Sequence, residues 1–156
     1  MKFKFFALTA AVAVAGCSAH TPNKAQDDVK AVEKAAHDSY VTAINSNSAD
    51  TLAAGLTDDV VYQSPGEPEL VGKAAVHAWL VNYFNTYNAH WEKTSIGFTV
   101  NGDWAFERYV YKATETDRKT GAVITDVGKG INIFRRGADG KWRVAIDGWN
   151  SDKAAH

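Results

Sequence analysis

Apolar residues recur at three- and four-residue spacing near the start of the chain. Val29, Val32, Ala36, Tyr40, Ala43 and Ile44 share one side of a helix. Asp27 and Asp28 stand ahead of this stripe, where the positive end of a helix macrodipole favours acids, and Ser46, Asn47 and Ser48 end it. His37 falls off the stripe one turn after Glu33, the spacing of a solvated i,i+4 pair. A short second helix is expected over 49–56, then a strand at Val60, Val61 and Tyr62 and a tight turn at Ser64, Pro65 and Gly66. The next amphipathic helix opens near Gly72 and reaches Tyr87. Its apolar face is wide and aromatic: Val76, Trp79, Leu80, Tyr83, Phe84 and Tyr87.

From Trp91 onward the period becomes two. Ile96, Phe98 and Val100 alternate ahead of Asn101-Gly102, a strong hairpin signal. Long strands are expected over 104–116, 123–135 and 142–150, joined by a polar loop over 117–121 and a turn over 137–140. Gly128 and Gly130 read as a bend that lets the sheet curl, not as a phosphate loop, because no helix follows them. Three helices followed by long antiparallel hairpins predict one α+β domain. In it the N-terminal helices pack on a strongly curved, mostly antiparallel sheet.

A length of 156 residues suits one domain with a real core, and 46% hydrophobic with 22% charged residues is ordinary for a globular chain. Setting Lys2 and Lys4 aside leaves 15 basic against 18 acidic residues, a charge of −3. Such a balance speaks against nucleic-acid binding, which shows as a basic patch or stripe. The first 16 residues have a pattern of their own. A positive start, Lys2 and Lys4, precedes an apolar run over 5–14 that is too short to span a bilayer. Val14, Ala15, Gly16 and Cys17 follow, and they resemble the lipobox of bacterial lipoproteins.

That resemblance implies cleavage before Cys17, a lipid on its sulfur and an acyl group on the new amine. These chains would anchor the protein to the bilayer of the cell envelope. Ser18 after the cysteine implies the outer membrane, facing the periplasm, in a Gram-negative host. Cys17 is the single cysteine, so no disulfide is expected. The expected organisation is a signal peptide over 1–16, a lipidated cysteine and tether over 17–26, a folded domain over 27–152 and a disordered tail over 153–156.

Asp58-Asp59-Val60-Val61-Tyr62, the Pro65-Gly66 turn, Gly72-Lys73-Ala74-Ala75 and the ending Asp147-Gly148-Trp149-Asn150-Ser151-Asp152 are similar to the SnoaL-like branch of the nuclear transport factor 2-like superfamily. The resemblance implies a cone-shaped fold with an internal cavity and a homodimer formed through the outer sheet face. The ketosteroid isomerases of this superfamily imply a specific pattern. Tyr40 matches their helix tyrosine, Ser64 falls at their general-base position, and their later acid falls near Asn132. A serine cannot accept a proton at neutral pH without a partner base, and no spacing forces a histidine or carboxylate near Ser64. Steroid isomerisation by the family mechanism is therefore not expected.

A second polar group occupies odd positions of the last three strands: Glu107, Lys129 and Asp147, with Tyr109 and Trp149. If that face turns inward, two carboxylates and an ammonium lie under a roof of Tyr40, Tyr62, Trp79 and Tyr83. Trp104, Phe106 and Val110 take the opposite parity, and a single bulge swaps the faces. A structural ion pair plus an outward carboxylate is the plainer alternative. Three functions fit this pattern. The first is a binder of a small hydrophobic or polar organic molecule. The second is an isomerase, cyclase or dehydratase with Asp147 or Glu107 as acid–base and Tyr40 as donor. The third is a dimeric interaction module whose cone is filled by its own side chains. His77 and His90 lack partners at metal-ligand spacing, so neither metal nor cofactor is expected.

Overall fold

The computed structural model describes residues 24–153. The signal-like segment, Cys17, most of the expected tether and the final residues 154–156 lie outside the described residues. The first helix, α1 (Lys24–Asn45), starts three residues ahead of Asp27. It closes where Asn47 takes a left-handed conformation, φ 53°, one that asparagine tolerates better than most residues. Ser48 then caps α2 (Ala49–Ala54), its hydroxyl accepting from the Thr51 N–H at 3.2 Å. No helix among the described residues is long and apolar enough to cross a membrane.

The remaining elements are β1 (Leu56–Gln63), β2 (Leu70–Val71), α3 (Lys73–Thr86), β3 (Tyr87–Asn101), β4 (Trp104–Asp117), β5 (Val123–Arg136) and β6 (Trp142–Ser151). They form one curved sheet in the order β2-β1-β6-β5-β4-β3. β1 and β6 run parallel and the other neighbours antiparallel. Helix α3 follows β1 and β2 in the chain, as the strand at Val60–Tyr62 ahead of Gly72 predicts, and the long strands β3 to β6 come after it.

One face of the sheet takes the helices. Ala36, Tyr40, Ala43 and Ile44 of α1 meet Val76, Leu80 and Phe84 of α3 over Leu56, Val60, Phe134 and Val144. Val29 and Val32, expected in the same stripe, are only partly buried. The outer face keeps Trp104, Phe106, Val110 and Ile131 exposed.

β3 begins at Tyr87 and is longer than its sequence suggests. Ala89, Trp91 and Lys93 turn inward on it, a register shift falls between Ser95 and Gly97, and Phe98 and Val100 then turn inward instead. The bulge leaves Ile96 outside, 48% exposed. β3 is also a sheet edge, and two asparagines cover it. Asn45 accepts from the Trp91 N–H at 2.8 Å and donates to its carbonyl at 2.9 Å. Asn47 does the same with Ala89, at 2.7 and 2.9 Å. At Ala89 and Trp91 the side-chain amides pair with the edge backbone as a further strand would.

Candidate functional site

Sheet register builds the floor of the cone. Glu107 on β4 pairs with Asn132 on β5, Asn132 with Asp147 on β6, and Asp147 with Tyr62 on β1. Four polar side chains therefore cross four strands in one row, all buried. The next row is Tyr109, Gly130 and Trp149. Gly130 gives that row its shape, because a Cβ there would lie 2.4 Å from the Tyr109 hydroxyl and ring. The tyrosine lies across the space a side chain would fill, and its hydroxyl reaches Asp147.

Asp147 is the acceptor on which the hydroxyls converge. Tyr40 donates to its Oδ2 at 2.6 Å and Tyr109 to its Oδ1 at 2.8 Å. Tyr40 and Tyr62 hydroxyls are 2.7 Å apart. The one Tyr40 proton is spent on Asp147, so Tyr62 donates to Tyr40. The three phenols stay protonated across any working pH. Burial, and then the Asp147 charge, hold each well above its ordinary value.

Lys93 enters the same space from β3 and is 8% exposed. Its ammonium donates to Asn132 Oδ1 at 2.8 Å, 3.6 Å from the Tyr109 ring centre and 4.7 Å from that of Tyr40. Burial lowers its pKa, while Asp147 and Glu107 act in the opposite direction. Behind it, Glu107 Oε1 meets His37 Nδ1 at 2.6 Å. Glu107 Oε2 and Asn132 Nδ2 are buried with no partner.

Above this floor opens a cavity of about 280 Å³. Trp79, Tyr83, Trp91 and Trp149 wall it, with Tyr62. Trp79 stacks on Tyr83 at 5.1 Å and meets Trp149 edge-on at 6.5 Å. Tyr40, Lys93 and Asp147 form its polar end. Acidic side chains stand elsewhere on its lining. Glu67 Oε2 accepts from Ser64 Oγ at 2.9 Å and from Trp79 Nε1 at 3.0 Å. Glu115 accepts from the Tyr83 hydroxyl at 2.5 Å, and Asp126 from that of Tyr111 at 2.7 Å. Among the described residues no group of three potential ligands could hold a metal ion.

Of the residues singled out in the sequence, Tyr40, Tyr62, Trp79, Tyr83, Asp147 and Trp149 line this cavity. Glu107 and Tyr109 point inward but sit behind it, against His37 and Asp147. Lys129 does not belong to the site. It pairs with Val110 and Asn150 on the outer face, its side chain is 58% exposed, and its ammonium contacts Asp152. β4 and β6 turn odd positions inward here, whereas β5 turns even ones, so a shared odd number does not mean a shared face.

The inward ammonium is that of Lys93. The Ser95–Gly97 bulge reverses parity within β3, so Ile96, Phe98 and Val100 give the wrong face for Lys93. His37, expected in solvent beside Glu33, is instead half-buried against Glu107. Ser64 has a carboxylate beside it after all, from Glu67. Ser64 and Glu67 bracket the Pro65-Gly66 turn, the one signal that could have brought them together.

Comparison with known proteins gives the family. A model described as the SnoaL-like domain matches residues 37–145. A ketosteroid isomerase-like protein from Erwinia carotovora atroseptica is 30% identical, with 80% of this chain and 96% of that one covered at a TM-score of 0.72. A candidate dehydratase of the nuclear transport factor 2-like family from Streptomyces avermitilis shares the fold at 19% identity, covering 82% and 99%, with a TM-score of 0.73. A hexachlorocyclohexane dehydrochlorinase shares it at 14% identity, covering 82% and 88%, with a TM-score of 0.68. A comparison with curated protein sequences finds no match. With most of its folded part matched by the model, and with cone and cavity in place, the chain belongs to the SnoaL-like domain family.

Proposed function

We propose that this domain binds a small, largely apolar organic molecule in its cone, with one polar group of the molecule meeting the Tyr62–Tyr40–Asp147 chain. The observation that carries this reading is an open, aromatic-walled cavity of about 280 Å³ ending in a buried carboxylate and an ammonium. Clefts of this kind, mostly apolar with a few placed polar groups, are the usual form of a ligand site. A cone packed full by Trp79, Tyr83 and Trp149 would have favoured a pure interaction module. Those rings stand at the wall instead.

An enzymatic variant of this reading is supported by Asp147. A carboxylate held by two phenols, beside a lysine, can pass a proton to or from a bound carbonyl compound. Isomerisation, cyclisation or dehydration would follow such a transfer. The dehydratase and dehydrochlorinase names of two fold relatives accord with this chemistry. The lipobox at Cys17 supports anchoring of the domain to the bacterial envelope. The apolar outer sheet face supports a homodimer.

Native mass spectrometry of the full chain, purified from its own host in mild detergent, tests the binding reading. The expected spectrum shows one small molecule per chain that is released on denaturation. The Asp147→Ala variant is expected to lose about 2 kcal/mol of its affinity, the usual worth of a hydrogen bond to a charged group. An empty wild-type chain that also shows no saturable tryptophan quenching by apolar alcohols would sink the reading.

A further inference from the structure

We propose that Lys93 is a carbonyl-trapping amine that forms an imine with an aldehyde or ketone seated in the cone. This rests on the reading of the cavity as a small-molecule site and names the class of molecule it takes. Three observations lead here. Lys93 is a buried lysine that borders the cavity. It makes no salt bridge among the described residues, and its one hydrogen bond there goes to the neutral amide of Asn132. The remaining N–H bonds face aromatic rings, those of Tyr109 and Tyr40. An ammonium taken out of water without a carboxylate against it is an expensive group. A methionine would fill the same space at no such cost.

Burial gives Lys93 a larger share of neutral amine than an exposed lysine holds. Asp147 and Glu107 work against it without prevailing. His37, whose ring reaches Glu107, is the other titratable group on this side, and its positive form also disfavours a second positive charge nearby. A lysine desolvated in an apolar pocket is the usual nucleophile for carbonyl carbon.

The step balances within the site. The Nζ lone pair forms a C–N bond as the carbonyl π pair moves to oxygen, and one Nζ proton passes to that oxygen. The C–O bond then breaks, and the second Nζ proton leaves with the hydroxyl as water while the C=N bond forms. One carbonyl compound and one amine give one imine and one water. No oxidant, reductant or metal takes part.

Benzaldehyde is the probe, with sodium cyanoborohydride added at neutral pH to convert an imine to a stable secondary amine. The full chain is then digested and mapped by mass spectrometry. The expected result is one benzyl group per chain, on Lys93, in at least about tenfold excess over exposed lysines such as Lys129. Each unit of lowered amine pKa raises the reactive fraction about tenfold. Lys93→Met should lose the label while keeping the wild-type circular dichroism spectrum. If that variant does not fold, the wild-type map alone decides. Labelling of Lys93 no stronger than that of Lys129 overturns the proposal.

Benzyl alcohol, of the same shape without the carbonyl, separates this inference from the one beneath it. If it quenches tryptophan fluorescence saturably while Lys93 stays unlabelled, the imine falls and the binding site stands. If neither molecule enters, both fall.

Discussion

His37 and Glu107 make a pair whose strength depends on pH in a definite sense. His37 Nδ1 lies 2.6 Å from a carboxylate that is 1% exposed. The hydrogen bond to Glu107 raises the histidine pKa above its ordinary value, against burial, which lowers it. A group whose folded pKa is raised contributes stability that is fully present below its unfolded pKa of about 6.5 and is lost as pH rises through the folded value. The wild type should therefore exceed His37→Gln by about 1–2 kcal/mol at pH 5.5, and by less at pH 8.5. Urea unfolding of both chains at the two pH values checks this. A gap that widens with pH would mean that the pair is not ionic. The pair was not legible in the sequence, because the two residues are 70 positions apart, and Glu33 one turn before His37 offered a nearer and plainer partner.

Among the elements, β5 shapes the site by what it lacks. A Cβ at Gly130 would fall 2.4 Å from Tyr109 and 2.6 Å from the Gly148 carbonyl, and one at Gly128 would fall 2.6 Å from the Tyr111 hydroxyl. Gly130→Ala must displace either the β6 backbone or the tyrosine that holds Asp147 Oδ1. Overpacking of this kind costs about 1–3 kcal/mol, and thermal unfolding should show it. Tyr109→Phe should cost less, because it removes the hydrogen bond without moving a strand. Equal stability of Gly130→Ala and wild type would mean that Tyr109 can swing away freely. In the sequence the glycine pair reads as a bend in the sheet, and the packing adds a second reason for it. Element order, the β4–β5–β6 hairpins and the helix faces were readable because period and turn residues are local signals. Strand parity was not, because it depends on bulges and pairings fixed by tertiary contacts. Hence parity alone puts Lys129 on the inner face, where the structure has Lys93, whose place depends on the bulge at Ser95–Gly97.

At the scale of the whole molecule, the described residues cover the sheet on one side only. The helices bury the inner face, while Trp104, Phe106, Val110 and Ile131 remain exposed on the outer one, joined by Ile96 at the β3 bulge. Phe106 pairs across the strands with Ile133, and Ile131 with Arg108, so the apolar groups of β4 and β5 adjoin on one surface. A monomer rarely leaves so many large apolar groups together in water. A second copy supplies the same surface in reverse about a two-fold axis, and a self-complementary face is what such symmetry requires. A stable interface typically buries about 1,200–2,000 Å², and the outer face of four long strands offers room for it. The full chain in detergent should therefore sediment as a dimer at micromolar concentration. Phe106→Asp combined with Ile131→Asp should convert it to a monomer, since like charges brought together across an interface cost several kcal/mol. Both residues lie on the face opposite the cavity, so saturable quenching by benzyl alcohol should survive the change. A wild type that sediments as a monomer would sink the dimer. A charged variant that loses the ligand would mean that the cone keeps its shape only when two copies meet.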